Sequence, residues 1–208
     1  MNANFRITPN GLTLLGLPFG VFAGFLLAGG HLRCASFFLF ALSACDFFDG
    51  RIAKKMKLTT EFGAFLDSTV DRIVELFLFM GIIFLYSRRG DWRTALVAYG
   101  GLSGSLVVSY TRARAENFIK NCRVGFWERP ERLLLLLLGL LTHHLTTALW
   151  ILAIGTTLTS LHRILYTRYT LLHRNLPWKT LFWDFPRSSW MYRIAAFAVI
   201  LVTLFVTV

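Results

Sequence analysis

Asp46-Phe47-Phe48-Asp49-Gly50-Arg51-Ile52-Ala53-Lys54, then Gly63-Ala64-Phe65-Leu66-Asp67-Ser68-Thr69-Val70-Asp71, is the stretch that decides how this chain is read. Four of the six aspartates fall within these 26 residues. Both segments lie at the ends of long apolar runs, where a carboxylate costs several kcal/mol unless something compensates it. Asp46 and Asp49 are i, i+3, and Gly50 and Ala53 continue the same helical face. Gly63, Asp67 and Asp71 recur at i, i+4, i+8 on the following helix. A short basic turn joins the two, so they are expected as antiparallel neighbours whose acidic faces meet. Four carboxylates in one place repel unless hard divalent cations intervene. Oxygen-only ligands suit Mg²⁺, Mn²⁺ or Ca²⁺ rather than zinc. Pairing with Arg51, Lys54, Lys55, Lys57 and Arg72 is the plainer alternative, but it leaves the common register of the four acids unexplained.

The surrounding composition is that of a membrane protein. Of 208 residues, 55% are hydrophobic and only 16% charged, against about 25% charged in an average soluble domain. The net charge is +11. In a soluble protein that would point to nucleic acid; with these apolar runs it points to membrane lipids and phosphate groups, and nucleic acid is excluded as the partner.

A helix needs roughly 20 apolar residues to cross the hydrocarbon core. Seven candidates appear: Leu12 to Gly30, Leu32 to Ala53, Phe62 to Tyr86, Thr94 to Phe118, Arg132 to Thr146, Thr147 to Tyr166 and Trp190 to Val208. His143-His144 is expected to mark the turn between the fifth and sixth. With the N-terminus in the cytoplasm, seventeen basic residues fall inside and four outside, which orients the chain by the positive-inside rule. The loop Arg88-Arg89-Gly90-Asp91-Trp92-Arg93 runs against that trend. Leu171 to Arg187, with Trp178, Phe182, Trp183 and Phe185 among basic residues, reads as an interfacial segment. Cys34, Cys45 and Cys122 are odd in number and widely spaced, which argues for structural thiols rather than a disulfide framework or zinc site.

The acidic stretch resembles the signature of the CDP-alcohol phosphotransferases, D-x2-D-G-x2-A-R-x8-G-x3-D-x3-D. The one departure is Lys54 in place of the usual Arg, which keeps the cation and loses the bidentate fork. The resemblance implies an all-α integral membrane fold. Its core would be six transmembrane helices around a polar cavity open to the cytoplasm, occupying residues 1–170. Residues 171–208 would add the interfacial segment and a seventh, C-terminal transmembrane helix. It implies two divalent cations, Mg²⁺ or Mn²⁺, on Asp46, Asp49, Asp67 and Asp71, with Asp71 as general base. It implies a CDP-linked lipid, CDP-diacylglycerol or CDP-archaeol, held by Asn10, Thr13, Asp49, Gly50, Ala53, Lys54, Gly63 and Asp67. Thr8-Pro9-Asn10 and Thr13 match a short family pattern; helix capping is their alternative reading.

Ser109-Tyr110-Thr111-Arg112-Ala113-Arg114-Ala115-Glu116 and Glu128-Arg129-Pro130-Glu131-Arg132 hold more arginine than their glutamates neutralise. That surplus suits an anionic second substrate. The segments resemble those of the family branch that makes phosphatidylinositol phosphate in bacteria and archaetidylinositol phosphate in archaea. The resemblance assigns Ser109, Arg112, Arg114, Pro130, Arg132 and Arg163 to the acceptor phosphate, and an inositol phosphate as that acceptor. The expected reaction is transfer of a phosphatidyl group to inositol phosphate with release of CMP, in a prokaryotic cell membrane, the site facing the cytoplasm. Glycerol 3-phosphate is the alternative acceptor. A cation transporter and an inactive membrane scaffold are the alternatives of another class. Homodimers are common in the resembling family, although no periodicity here requires one.

Overall fold

The structure is a computed structural model that describes residues 9–56, 60–122, 124–172 and 198. Within helices it leaves the side chains of residues 9–13, 15 and 47–56 undescribed. The described residues form six α-helices and no strand: α1 (Pro9–Ala28), α2 (Leu32–Met56), α3 (Glu61–Arg88), α4 (Trp92–Ala115), α5 (Arg129–Leu141) and α6 (Leu145–Leu171). The chain divides into two compact units, Met1–Ala95 and Leu96–Val208.

The expectation of six transmembrane helices and a seventh is corrected. Among the described helices only α6 is long and apolar enough to cross a membrane. The reason lies in charge and length. The acids and bases of the signature interrupt α2 and α3, and α4 carries Arg93, Arg112, Arg114 and three glycines. The 13 residues of α5 span about 20 Å, against a hydrocarbon core of about 30 Å. The expected seventh helix and the interfacial segment fall almost wholly outside the described residues. Phe22, Phe25, Phe37, Phe40, Phe62 and Phe65 nonetheless stand exposed, an apolar surface suited to lipid.

In the first unit α1 packs against both α2 and α3. Glycines at i, i+4, i+8 make this possible. A Cβ on Gly16 would stand 3.3 Å from the Leu42 side chain, and one on Gly20 would run into Val74. A Cβ on Gly24 would meet the Phe77 carbonyl, and one on Gly81 would collide with the Gly24 carbonyl. Absent side chains bring the α1 and α3 backbones together, the small-residue packing typical of helices in lipid. Leu27, Leu39, Leu42, Leu78, Phe79 and Ile82 fill the remaining interior. Two helices end in the same hydrogen-bonded turn. Gly30 N–H donates to Leu27 O (3.0 Å) and His31 N–H to Leu26 O (2.9 Å). Gly90 N–H donates to Ser87 O (3.1 Å) and Asp91 N–H to Tyr86 O (3.0 Å). This is the Schellman pattern, which needs a left-handed residue; Gly30 and Gly90 supply it at φ +80° and +74°.

In the second unit α5 packs on α6, and Gly139 lies against Ala148. The turn between them falls at His143-His144 as expected, with His143 at φ 63°. Trp127 is buried and its indole covers Gly155. Residue 128 is the N-cap of α5 and Pro130 sits in the first turn, so this helix begins three residues earlier than its apolar run.

Candidate active site

The acids of the first unit lie on two helices that share α1 as a neighbour. Asp46 on α2 is half-buried, and a Cβ on Gly16 of α1 would be 4.0 Å from its Oδ1. Val74 of α3 meets the next glycine of α1, Gly20, one turn beyond Asp71. Asp67 is exposed and Asp71 is 8% exposed. Arg72 Nη1 stands 3.6 Å from Asp71 Oδ2. Thr60 caps α3 by accepting a hydrogen bond from Gly63 N–H (3.0 Å), so the expected ligand-side glycine is also the third residue of a capped helix.

Glu75, 2% exposed, continues the Asp67, Asp71 series by one more turn. Sequence reasoning stopped at Asp71, although the i+4 spacing that found the aspartates also contains Glu75. Among the described residues no three Asp, Glu, His or Cys side chains converge closely enough to hold a metal ion. Asp49, the fourth acid, has its side chain outside the described residues, as do Asn10, Thr13, Gly50, Ala53 and Lys54. The donor chemistry still fits a hard divalent cation: Asp46, Asp67 and Asp71 offer only oxygen, and Asp71 offers it from a buried position.

The arginines of the second unit are arranged differently. Arg132 and Arg163 are among the most buried side chains described, at 1% and 2% exposure. Arg163 donates from Nε to Val124 O (3.0 Å) and from Nη1 to Val108 O (2.6 Å). Its Nη2 faces Glu128 Oε1 at 3.7 Å. Arg132 Nη1 donates to Trp127 O (3.0 Å). Arg112, about one-third exposed, donates from Nη1 to Glu128 Oε1 (3.2 Å) and from Nε to Glu116 Oε1 (3.1 Å). Ser109 is half-buried and its hydroxyl donates to Ser105 O (3.1 Å).

The structure therefore brings Arg112, Arg132 and Arg163 onto one short segment, residues 124–128. It does not bring Arg114 or Pro130 with them. Arg114 is exposed, its guanidinium 5.1 Å from the Phe118 ring, and Pro130 is exposed. Cys122 is buried among Ala115, Ile119, Val124 and Tyr166, and burial pushes its thiol pKa up, which keeps it protonated and unreactive.

The chain is similar to known proteins over most of its length. The CDP-alcohol phosphatidyltransferase family matches residues 6–161. The phosphatidylinositol phosphate synthase of Corynebacterium glutamicum is 38% identical over 169 residues, 76% of this chain and 77% of that one. A crystal structure of the Mycobacterium tuberculosis phosphatidylinositol phosphate synthase with CDP-DAG bound superposes with a TM-score of 0.72 at 31% identity. It covers 79% of this chain and 88% of that chain. The same enzyme in complex with manganese and citrate matches equally well, at 31% identity and a TM-score of 0.72.

With such a span matched, this chain belongs to the CDP-alcohol phosphatidyltransferase family, and it is an enzyme of that type. Within the family it falls in the phosphatidylinositol and archaetidylinositol phosphate synthase branch. An archaetidylinositol phosphate synthase from Methanothermobacter thermautotrophicus, 38% identical over 126 residues, covering 61% of this chain and 59% of that one, stands on the other side of the same branch.

Proposed function

We propose that this membrane-associated protein transfers a phosphatidyl group from CDP-diacylglycerol (or its ether analogue CDP-archaeol) to an inositol phosphate, releasing CMP, at a site facing the cytoplasm. The observation that carries the reading is the complete Asp46, Asp49, Asp67, Asp71 ladder in a chain similar to a synthase with CDP-DAG bound.

Asp46, Asp49, Asp67 and Asp71 would hold two divalent cations, Mg²⁺ or Mn²⁺. Bound there, they would supply positive charge to the diphosphate and the departing phosphate. The remaining work belongs to side chains. Asp71, buried on α3, takes the proton of an acceptor hydroxyl as general base. The acceptor oxygen bonds to the phosphorus that carries the lipid. The bond from that phosphorus to the bridging oxygen breaks, and CMP leaves with the electron pair. Asn10, Thr13, Gly50, Ala53, Lys54 and Gly63 receive the nucleotide. Ser109 and Arg112, with Arg132 behind them, receive the acceptor phosphate. The reaction belongs to residues 1–170; residues 171–208 serve as an accessory segment at the lipid surface.

The test is CMP release by the purified protein with CDP-diacylglycerol and Mg²⁺, comparing inositol 1-phosphate, free inositol and glycerol 3-phosphate. Release with inositol 1-phosphate alone is expected. Release with glycerol 3-phosphate alone would keep the chemistry and discard the acceptor.

A further inference from the structure

Glu128 is the N-cap residue of α5, a position where Ser, Thr, Asp and Asn serve best, and its carboxylate makes no capping hydrogen bond. The side chain goes elsewhere. Its Oε1 accepts from Arg112 Nη1 of α4 at 3.2 Å and faces Arg163 Nη2 of α6 at 3.7 Å. Those two arginines are not alike. Arg163 is 2% exposed and fixed through Nε and Nη1 by the Val124 and Val108 carbonyls, which leaves Nη2 facing Glu128. Arg112 is about one-third exposed, and its other partner, Glu116, is four residues on, in the exposed turn that follows α4. Arg132 is tied to the same place through the Trp127 carbonyl and through its own amide, which donates to Glu128 O (3.2 Å). Three helices thus deliver one arginine each to residues 127 and 128.

We propose that Glu128 is a positioning residue for the anionic acceptor: anchored opposite the buried Arg163, it holds the partly exposed Arg112 guanidinium in the orientation that receives the acceptor's phosphate. This rests on the acceptor reading given above. Glu128 itself need touch no substrate. A half-buried carboxylate shared by a buried and a partly exposed guanidinium transmits the position of the first to the second. An arginine so oriented loses less side-chain entropy when a phosphate arrives than one free to sweep the surface.

The experiment is a double-mutant cycle on the full-length protein, read as CMP release at varied inositol 1-phosphate and varied CDP-diacylglycerol. Glu128→Gln keeps the shape and removes the charge. It is expected to raise the acceptor KM about tenfold, the equivalent of one charge-assisted hydrogen bond, with the CDP-diacylglycerol KM within about twofold of wild type. In an Arg112→Ala background the same change should add less than about twofold, because the residue through which it acts is gone. An unchanged or lowered acceptor KM, or effects that multiply in the double variant, would overturn the proposal. Should Glu128→Gln fail to fold, Glu128→Asp keeps the charge opposite Arg163 while shortening the reach to Arg112, and the cycle is decided with it by the same criterion. The wild type reports separately on the acceptor. If it uses only glycerol 3-phosphate, the inositol reading falls, and the cycle run with that equally anionic acceptor still decides Glu128.

Discussion

Among the described residues of the first unit the charged side chains in the interior are acids, Asp71 and Glu75, reached from an apolar helix at successive turns. In the second they are arginines, Arg132 and Arg163, reached from different helices and tied to backbone carbonyls. A carboxylate can only accept hydrogen bonds, so a buried one needs donors or cations beside it, as Arg72 stands beside Asp71. A guanidinium carries five donors and can be satisfied by the fold's own carbonyls. The acids offer only lone pairs and so suit a cation, whereas the buried arginines are held mainly by the fold's own carbonyls. Arg112, at the edge and about one-third exposed, keeps a surface to offer.

Four experiments would break or sharpen that contrast. Asp71→Asn should cost about 10³-fold in kcat, within the range for a lost general base, while CDP-diacylglycerol binding changes little. Comparable losses in binding would make Asp71 a ligand residue alone. Arg163→Met should act on stability. It strips partners from the Val108 and Val124 carbonyls and from Glu128, and about 3 kcal/mol is expected from denaturant or thermal unfolding. A melting temperature equal to wild type would mean those contacts are dispensable and the second unit is not held as described.

Gly81→Val tests the glycine contact in the first unit. The new side chain would strike the Gly24 carbonyl, and roughly 1–3 kcal/mol of destabilisation is expected. Activity should fall with it, since α1 carries contacts to both acid-bearing helices. The smallest effect is expected at Asp91, in the exposed turn before α4. Hydrogen bonds from the Thr94 hydroxyl and amide, with Arg93 nearby, hold its carboxyl below the usual range. A lowered folded-state pKa stabilises at pH above the unfolded value of 3.8 and loses that contribution as pH falls through the folded value. The difference in melting temperature between wild type and Asp91→Ala should therefore be small at neutral pH and shrink below about pH 4. A difference that grows in acid would contradict the sign.

Much of this was legible in the sequence. Six described helices coincide with six apolar runs, because Gly30, Gly90 and His143 interrupt the runs where the chain turns. Counting those runs as membrane crossings was the error. The signature that identifies the chemistry also places charges inside α2 and α3, and among the described residues only α6 keeps the required length and apolarity. The aspartates were legible because a helical face repeats every three to four residues. Glu75 followed the same rule and was passed over only because it lies beyond the family pattern. Arg163 was picked out on a loose resemblance, and its two backbone partners could not have been. They lie 39 and 55 residues away in the chain and are carbonyls, which every residue possesses. Glu128 was read as one of too few counter-ions, when its place at the start of α5 makes it the shared partner of two arginines.

Arg163 also sets an order of events at the ribosome. Val108 is made 55 residues before the side chain that will bind its carbonyl, a wait of about 3–11 s at roughly 5–20 residues per second. Through that interval the end of α4 and the segment leading to Val124 lack the strut that joins them. The second unit is thus sealed from its C-terminal side, late and at one residue. A nascent chain arrested before Arg163 should be open to protease between residues 115 and 128, and one arrested well beyond it should be protected there.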